Sequence, residues 1–591
     1  MSRRVGDLNG LIRETTLAVI SSNDLRKMTA NDMYTEFFDA FDGIFDAENA
    51  VLEKGKKMTH PKGLPNYTIG MFLLASEKVK ILNFYNRIVP CVRQVDRNEY
   101  GIYKPIIRED DDKYLRPLVR ELKTTLKPVE YEDVKQVIVD EAWKFGEGLS
   151  MTEDTALVPC NNGVYNVYTK EFIDWDESDR RGQVFINKLA VDYNPQAQDR
   201  PWHDNVNDRD ITLMDMLSDI CGGDADRLSA LLAGMHMMIR KNWEPELCLA
   251  LVDTEMTGGN GKTTISQILV SLIGNRNQCS IPIEDMSKQF LLEPLLDKTA
   301  IINPDAKDCA YVEDSSMFKS LASTDTTTVT VKFKAPVTGF TFTGHIFQAT
   351  QGYLKFKDSS MAIDRRFYFI DCKTHFTGAQ STIKENKAIK SDMLKQKERL
   401  EFLLYTLLEL GYENIPKFEF QKQLMKDFRN ETNPVDEFLN YITDEENRED
   451  GEHWDDFYPT AWLYPAFCGF YFKTYQKKTT IRSKSFMTSL KLWAKRNEED
   501  GWEVPVYIQP NGKEKLLKVS PRNRMDGPEM FTMEFDQMGA QNKDSLAEFM
   551  NAQAMSSNDM SKRYICNPLK KQYTCLQRVK SSQTNGTDDE D

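Results

Sequence analysis

The stretch "TEMTGGNGKTTIS", Thr254 to Ser266, decides how the rest of the chain is read. It sets Gly258, Gly259 and Gly261 ahead of Lys262-Thr263, between two apolar segments. "LCLALV" (Leu247–Val252) predicts a buried strand, and "KTTISQILVSLIG" predicts a helix. A glycine-rich turn between strand and helix exposes backbone N–H groups to phosphate, and the helix N-terminus favours the anion. Nucleotide is expected on Gly258, Gly259, Asn260, Gly261, Lys262, Thr263 and Thr264. Lys262 would reach the β- and γ-phosphates, and Thr263 would hold Mg²⁺. The usual pattern places another glycine five residues before Gly261, and Met256 stands there instead.

Three further short apolar runs follow. "KTAIIN" (Lys298–Asn303) leads into Pro304-Asp305; "HIFQATQ" (His345–Gln351) and "RFYFIDC" (Arg366–Cys372) come later. Strands alternating with helices predict a largely parallel, three-layer α/β core. An acid at the end of a neighbouring strand would organise Mg²⁺ and the attacking water. Asp305 fits that place, with Asp308 as the fallback. On its own, an acid after a strand is usually a loop residue or a helix cap.

"STDTTTVTVKFKAPVTGFTFTG" alternates Thr with Val and Phe and predicts a β-hairpin. Lys332 and Lys334 lie near its middle, two residues apart and so on one face. Such a hairpin can meet a phosphate backbone even on a chain of net charge −15. The charge excludes a uniformly basic nucleic-acid coat. Arg365-Arg366 precedes the last strand, where an arginine could complete a neighbouring subunit's site in trans. Paired arginines more often form structural salt bridges.

The 591 residues exceed what one core organises, so several domains are expected. Residues 1–80 read as helical, with Met33, Phe37, Phe41 and Phe45 four apart on one apolar stripe. That region would support its own core or oligomerisation. Residues 81–205 mix strand and helix signals, with a turn at Asn161-Asn162-Gly163. Residues 206–380 hold the α/β core, 381–425 a helical exit segment, and 426–530 a further module. The polar tail, 531–591, predicts little fixed structure. Ten scattered cysteines, no signal-peptide core and no bilayer-length apolar run predict a reducing compartment without membrane contact.

Taken in order, these motifs resemble the phage, plasmid and poxvirus primase–helicase group of helicase superfamily 3. "LVPCNNGVYNVYTKEFIDWD" and "NKLAVDYNPQAQDRPW" look like its lead-in segment. "TGGNGKTT" is similar to its phosphate loop. "EDSSMFKSLASTDTTTVTVKFKAP" resembles the superfamily's own motif, with Lys319, Asp325 and Lys332 on its positions. "GHIFQATQ" occupies the sensor strand, and "DRRFYFID" matches its arginine pair. "NPVDEFLNYI" resembles the start of a C-terminal winged-helix module.

The resemblance implies an AAA+-type ATPase in a homo-hexameric ring around DNA, in the cytoplasm of a host cell. ATP and Mg²⁺ would sit between subunits. Lys262, Thr263 and Asp305 would come from one, and Arg365 or Arg366 from the next. Lys332 and Lys334 would line the channel and track single-stranded or forked DNA. The module at 426–530 would bind origin DNA or a replication partner. The family's sensor Asn is absent, so Thr350 or Gln351 must orient the water.

Primase chemistry needs paired carboxylates for two metal ions. Asp110 and Asp112 offer the spacing within a charged loop, without strand context. Two other readings stay open: a weakly catalytic scaffold for replication initiation, and another P-loop enzyme such as a packaging motor.

Overall fold

The computed structural model describes residues 4–96, 98–145, 148–241, 243, 246–255, 258–306, 310–332, 335–356, 361–378, 381–443, 457–475, 478–509, 514–517 and 574–578. Two compact units form, Met1–Gly352 with Ala362–Gln421, and Tyr353–Met361 with Lys422–Asp591.

In the first unit, five parallel strands build the central sheet: β1 (Cys248–Asp253), β2 (Gln278–Cys279), β3 (Ala300–Asn303), β4 (His345–Gln351) and β5 (Phe367–Asp371). Their spatial order is β2-β3-β4-β1-β5. Every residue of β1, β3 and β5 is buried, as unbroken apolar runs demand in a sheet covered on both faces. Leu249, Leu251, Phe347, Ala349, Tyr368 and Ile370 join one core with helix α1 (Lys262–Ile273) and the helices Ala225–Ile239 and Lys397–Leu410. Phe367 points the other way and stacks on Phe318 of the helix Ser316–Ala322, centroids 5.4 Å apart. The chain is thus α/β, with a parallel sheet flanked by helices.

The N-terminal part of this unit is helical around its own core. Met33, Phe37, Phe41 and Phe45 are all buried on the helix Ala30–Val51. Thr29 and Asp32 cap that helix reciprocally. The helices Asp112–Leu122 and Pro128–Glu141 join the same core, so it extends well past residue 80. A three-stranded antiparallel sheet, Lys80–Phe84, Arg87–Arg93 and Tyr103–Pro105, lies within it in sequence. Asp112 sits in a helix, buried and bonded to Tyr131 and Lys135, rather than in the charged loop expected of it.

The turn near residue 162 falls one residue earlier than an Asn-Gly turn would. Cys160 pairs with Gly163, leaving Asn161-Asn162 at the bend. Gly163 is needed in the strand, because a Cβ there would lie 2.2 Å from the Ile173 carbonyl oxygen.

The second unit runs helix Pro434–Thr443, strand Phe457–Pro459, helices Thr460–Tyr475 and Ser483–Arg496, strand Trp502–Glu503 and strand Cys575–Arg578. The last strand lies between the other two. It arises inside the tail expected to lack structure. Phe438, Phe467, Phe486, Leu490 and Trp493 form this unit's core. Among the described residues, no helix is long and apolar enough to cross a membrane.

Candidate functional site

All five strands are parallel, so their C-terminal ends share one edge, where ligands of open α/β sheets bind. The phosphate-type loop leaves β1 at that edge. Gly258, Gly259 and Gly261 take φ values of +70°, +64° and +87°, which side chains with a Cβ avoid. Space adds a second constraint. A Cβ on Gly261 would lie 2.7 Å from Ile220, and one on Gly259 only 2.1 Å from the Thr377 hydroxyl. Gly261 precedes α1, and no side chain caps that helix. Its first N–H groups therefore stay open to an anion.

The Asn within the loop has a defined task. Asn260 is buried, accepts from Lys262 Nζ at 2.7 Å and donates to the Cys372 carbonyl at 3.4 Å. The loop is thereby tied to the chain that follows β5. Phe376 N–H reinforces this by donating to the Gly259 carbonyl at 2.9 Å. His375 Nδ1 lies 3.3 Å from the Gly258 carbonyl and its Nε2 3.1 Å from Glu255.

A cavity of about 600 Å³ opens over the loop. Gly258 to Thr264, Asp305 and Gln351 line it. Ile211, Ile220, Phe376 and Ile389 add apolar lining, and the ion pair Arg209–Asp219 lies in the same wall. The volume falls in the range of small-molecule and cofactor sites, and the lining mixes apolar and cationic side chains.

Asp305 reaches the cavity because Ala306 N–H donates to the Ala349 carbonyl at 2.9 Å, turning the chain after β3 toward β4. It is exposed there, as is Thr263. Asn303, the last residue of β3, is buried and bonded to Gln348, Ile281 and Ser280. The two sensor candidates separate. Gln351 lines the cavity, its amide nitrogen 3.2 Å from where a Gly258 Cβ would be. Thr350 is buried, donates weakly to the Gln351 carbonyl and does not line the cavity.

The two arginines also separate. Arg366 is buried and donates to the carbonyls of Ala362 at 2.5 Å and Lys319 at 3.3 Å, and to the Ser323 hydroxyl. Arg365 is exposed, 3.8 Å from Glu246. Lys332 sits in the connection between the strands Thr326–Val329 and Val337–Thr341, not within the ladder. A register shift near Val329 and Pro336, which has no N–H to donate, shorten the pairing. That connection is held from elsewhere: Arg87 Nη2 donates to the Ala335 and Pro336 carbonyls at 2.7 and 2.6 Å. Met256, Asp308 and Lys334 lie outside the described residues.

Asp253, the last residue of β1, joins the site although no sequence motif names it. Its carboxylate accepts from Gly258 N–H at 2.8 Å and Glu255 N–H at 3.2 Å, and faces Lys262 Nζ at 3.4 Å. Burial pushes its pKa up, but the Gly258 N–H and Lys262 outweigh that and hold it below the ordinary carboxylate value. The signal was available: an acid closes this apolar strand just as Asp305 follows β3.

A family model described as a family of unknown function (DUF5906) matches residues 256–366. No curated protein matches the chain. Among solved structures it is similar to the A form apo structure of the NrS-1 C-terminal region, at 12% identity and a TM-score of 0.38. That match covers 75% of this chain and 96% of the other. A second apo structure of the same region gives 11% identity and a TM-score of 0.37, covering 75% and 98%.

Proposed function

We propose that this chain is an ATP-driven DNA motor that works as a ring, homo-hexameric by its resemblance, during replication of a phage or other mobile element. The observation that carries this is the loop itself. Three left-handed glycines and Lys262 open onto a cavity that Asp305 and Gln351 share. ATP would place its phosphates on the loop and its base against Ile220 and Phe376. Thr263 and Asp305 would hold Mg²⁺, and Gln351 would orient the attacking water.

The arginines support a multi-chain site. Arg365 precedes β5, whose far end lies at the cavity edge. Six residues at about 3.3 Å each leave it roughly 20 Å from that edge. It cannot serve its own site and is free in position to serve a neighbour's. Arg366, engaged within its own chain, is assigned a structural role. Lys332, exposed at the tip of its hairpin, would meet the DNA strand in the ring's channel.

The second unit supports a further DNA contact. If this unit is a winged helix, as the resemblance implies, Ser483–Arg496 would be its recognition helix. Phe486, Leu490 and Trp493 face its core. Lys484, Thr488, Lys491 and Lys495, spaced four, three and four apart, share the opposite face. Among the described residues no carboxylate pairs with Lys478, Arg482, Lys484 or Lys495. Replacing Lys484, Lys491 and Lys495 together by Ala should weaken duplex binding in an anisotropy titration. The slope of log K against log salt should fall by roughly one per lysine. An unchanged slope would remove this face from the DNA contact.

A second reading, a weakly hydrolysing scaffold, is favoured by one feature: β3 ends in the neutral, internally bonded Asn303, with the acid two residues beyond. One experiment separates the two. ATP turnover is measured with and without single-stranded DNA, beside a mass measurement of the assembly. The motor predicts DNA-stimulated turnover by hexamers; bound ATP with no turnover under any DNA condition would favour the scaffold.

A further inference from the structure

A buried carboxylate stays charged only where cations or N–H groups compensate it. Asp253 is 1% exposed, and its closest cation is the ammonium of Lys262, itself 8% exposed. That same ammonium is the group a nucleotide phosphate would need. Two anions would therefore compete for one lysine. Asn260 Oδ1, at 2.7 Å, holds the amine as well, but it is neutral and offers no charge to compete with.

Resting on the nucleotide site proposed above, we infer that Asp253 is a positioning residue that acts as an internal counter-ion. It neutralises Lys262 and clasps the loop through Gly258 N–H when no phosphate is bound, and it takes the lysine back when phosphate leaves. Two separable effects follow. The clasp holds Gly258 and Glu255 through their N–H groups. The charge lowers affinity for nucleotide, because the incoming phosphate displaces an anion already in contact. The device favours product release over tight holding.

The two effects respond differently to substitution. Asp253→Asn keeps the shape and one acceptor oxygen for Gly258 N–H but removes the charge. Asp253→Ala removes both. The full chain is titrated with Mg²⁺ and a fluorescent N-methylanthraniloyl ATP, then with the matching ADP. Asp253→Asn should bind both roughly tenfold more tightly than the wild type, the difference expected between a charged and a neutral rival for one contact. Its KM and kcat should fall together, because ADP leaves more slowly. Asp253→Ala should bind more weakly than Asp253→Asn, having lost the clasp. In a Lys262→Met background, Asp253→Asn should give no gain.

A structural role alone predicts the opposite sign for the first variant. Equal or weaker binding by Asp253→Asn, with unchanged circular dichroism and melting, would overturn the counter-ion role. Should that variant fail to fold, Asp253→Ser removes the same charge, retains an acceptor, and carries the same expectation. Wild-type chain that binds neither nucleotide would sink the nucleotide reading and this inference together. Wild-type binding without a gain in the variant sinks the inference alone.

Discussion

Lys262→Ala will lower ATP turnover by at least about a thousandfold. Losing one donor aimed at developing transition-state charge costs roughly 10²–10³ in rate, and this donor also carries a full positive charge. The lysine springs from the first residue of α1 and is held by Asn260. The loop N–H groups remain, so nucleotide should still bind, more weakly. A stability effect accompanies the catalytic one. Without the ammonium, Asp253 loses its partner cation and keeps the N–H groups of Gly258 and Glu255, and breaking a buried pair on one side typically costs about 3–5 kcal/mol. A lower melting temperature is therefore expected as well. Steady-state turnover of the folded variant decides the matter; more than a tenth of wild-type activity would remove Lys262 from the reaction.

Arg365→Ala is the second large effect. An arginine supplied in trans contributes about 10³–10⁵ to phosphoryl-transfer rates, so turnover should fall by at least about a thousandfold with ATP binding intact. The informative step is mixing. A Lys262→Ala chain still offers Arg365, and an Arg365→Ala chain still offers Lys262. Combined, they should recover part of the activity that neither has alone. Full activity in Arg365→Ala by itself would dismiss the trans role. Arg366→Ala should differ in kind, losing stability through the unsatisfied carbonyls of Ala362 and Lys319.

The features legible in the sequence were those written in local pattern. The apolar runs at Leu247–Val252, Lys298–Asn303, His345–Gln351 and Arg366–Cys372 appear as β1, β3, β4 and β5. Gly222-Gly223, both at positive φ, separates the helices Leu213–Ile220 and Ala225–Ile239, as a glycine pair does. What stayed hidden depends on distance. β2 is two residues long and exists only because β3 pairs with it. Nothing local distinguishes Thr350 from Gln351, since the alternation of strand faces shows a difference without saying which face meets the loop. Arg365 and Arg366 are likewise neighbours in sequence, and only the helix Ser316–Ala322 with Ser323 decides which becomes buried. Lys332 was placed within the hairpin by Thr–Val alternation that runs on past the last paired residue, Val329.

The strand Cys575–Arg578 gives the second unit an unusual dependence. It is the middle of its sheet: Phe457–Pro459 and Trp502–Glu503 each bond to it and not to each other. Trimming the polar end of the chain at residue 570, a natural choice when cutting back to a stable fragment, would leave two short strands with no partner between them. Leu576, fully buried in that core, would go too. The practical edge of this unit lies past Arg578, and a fragment cut before it would be a different protein from the one described.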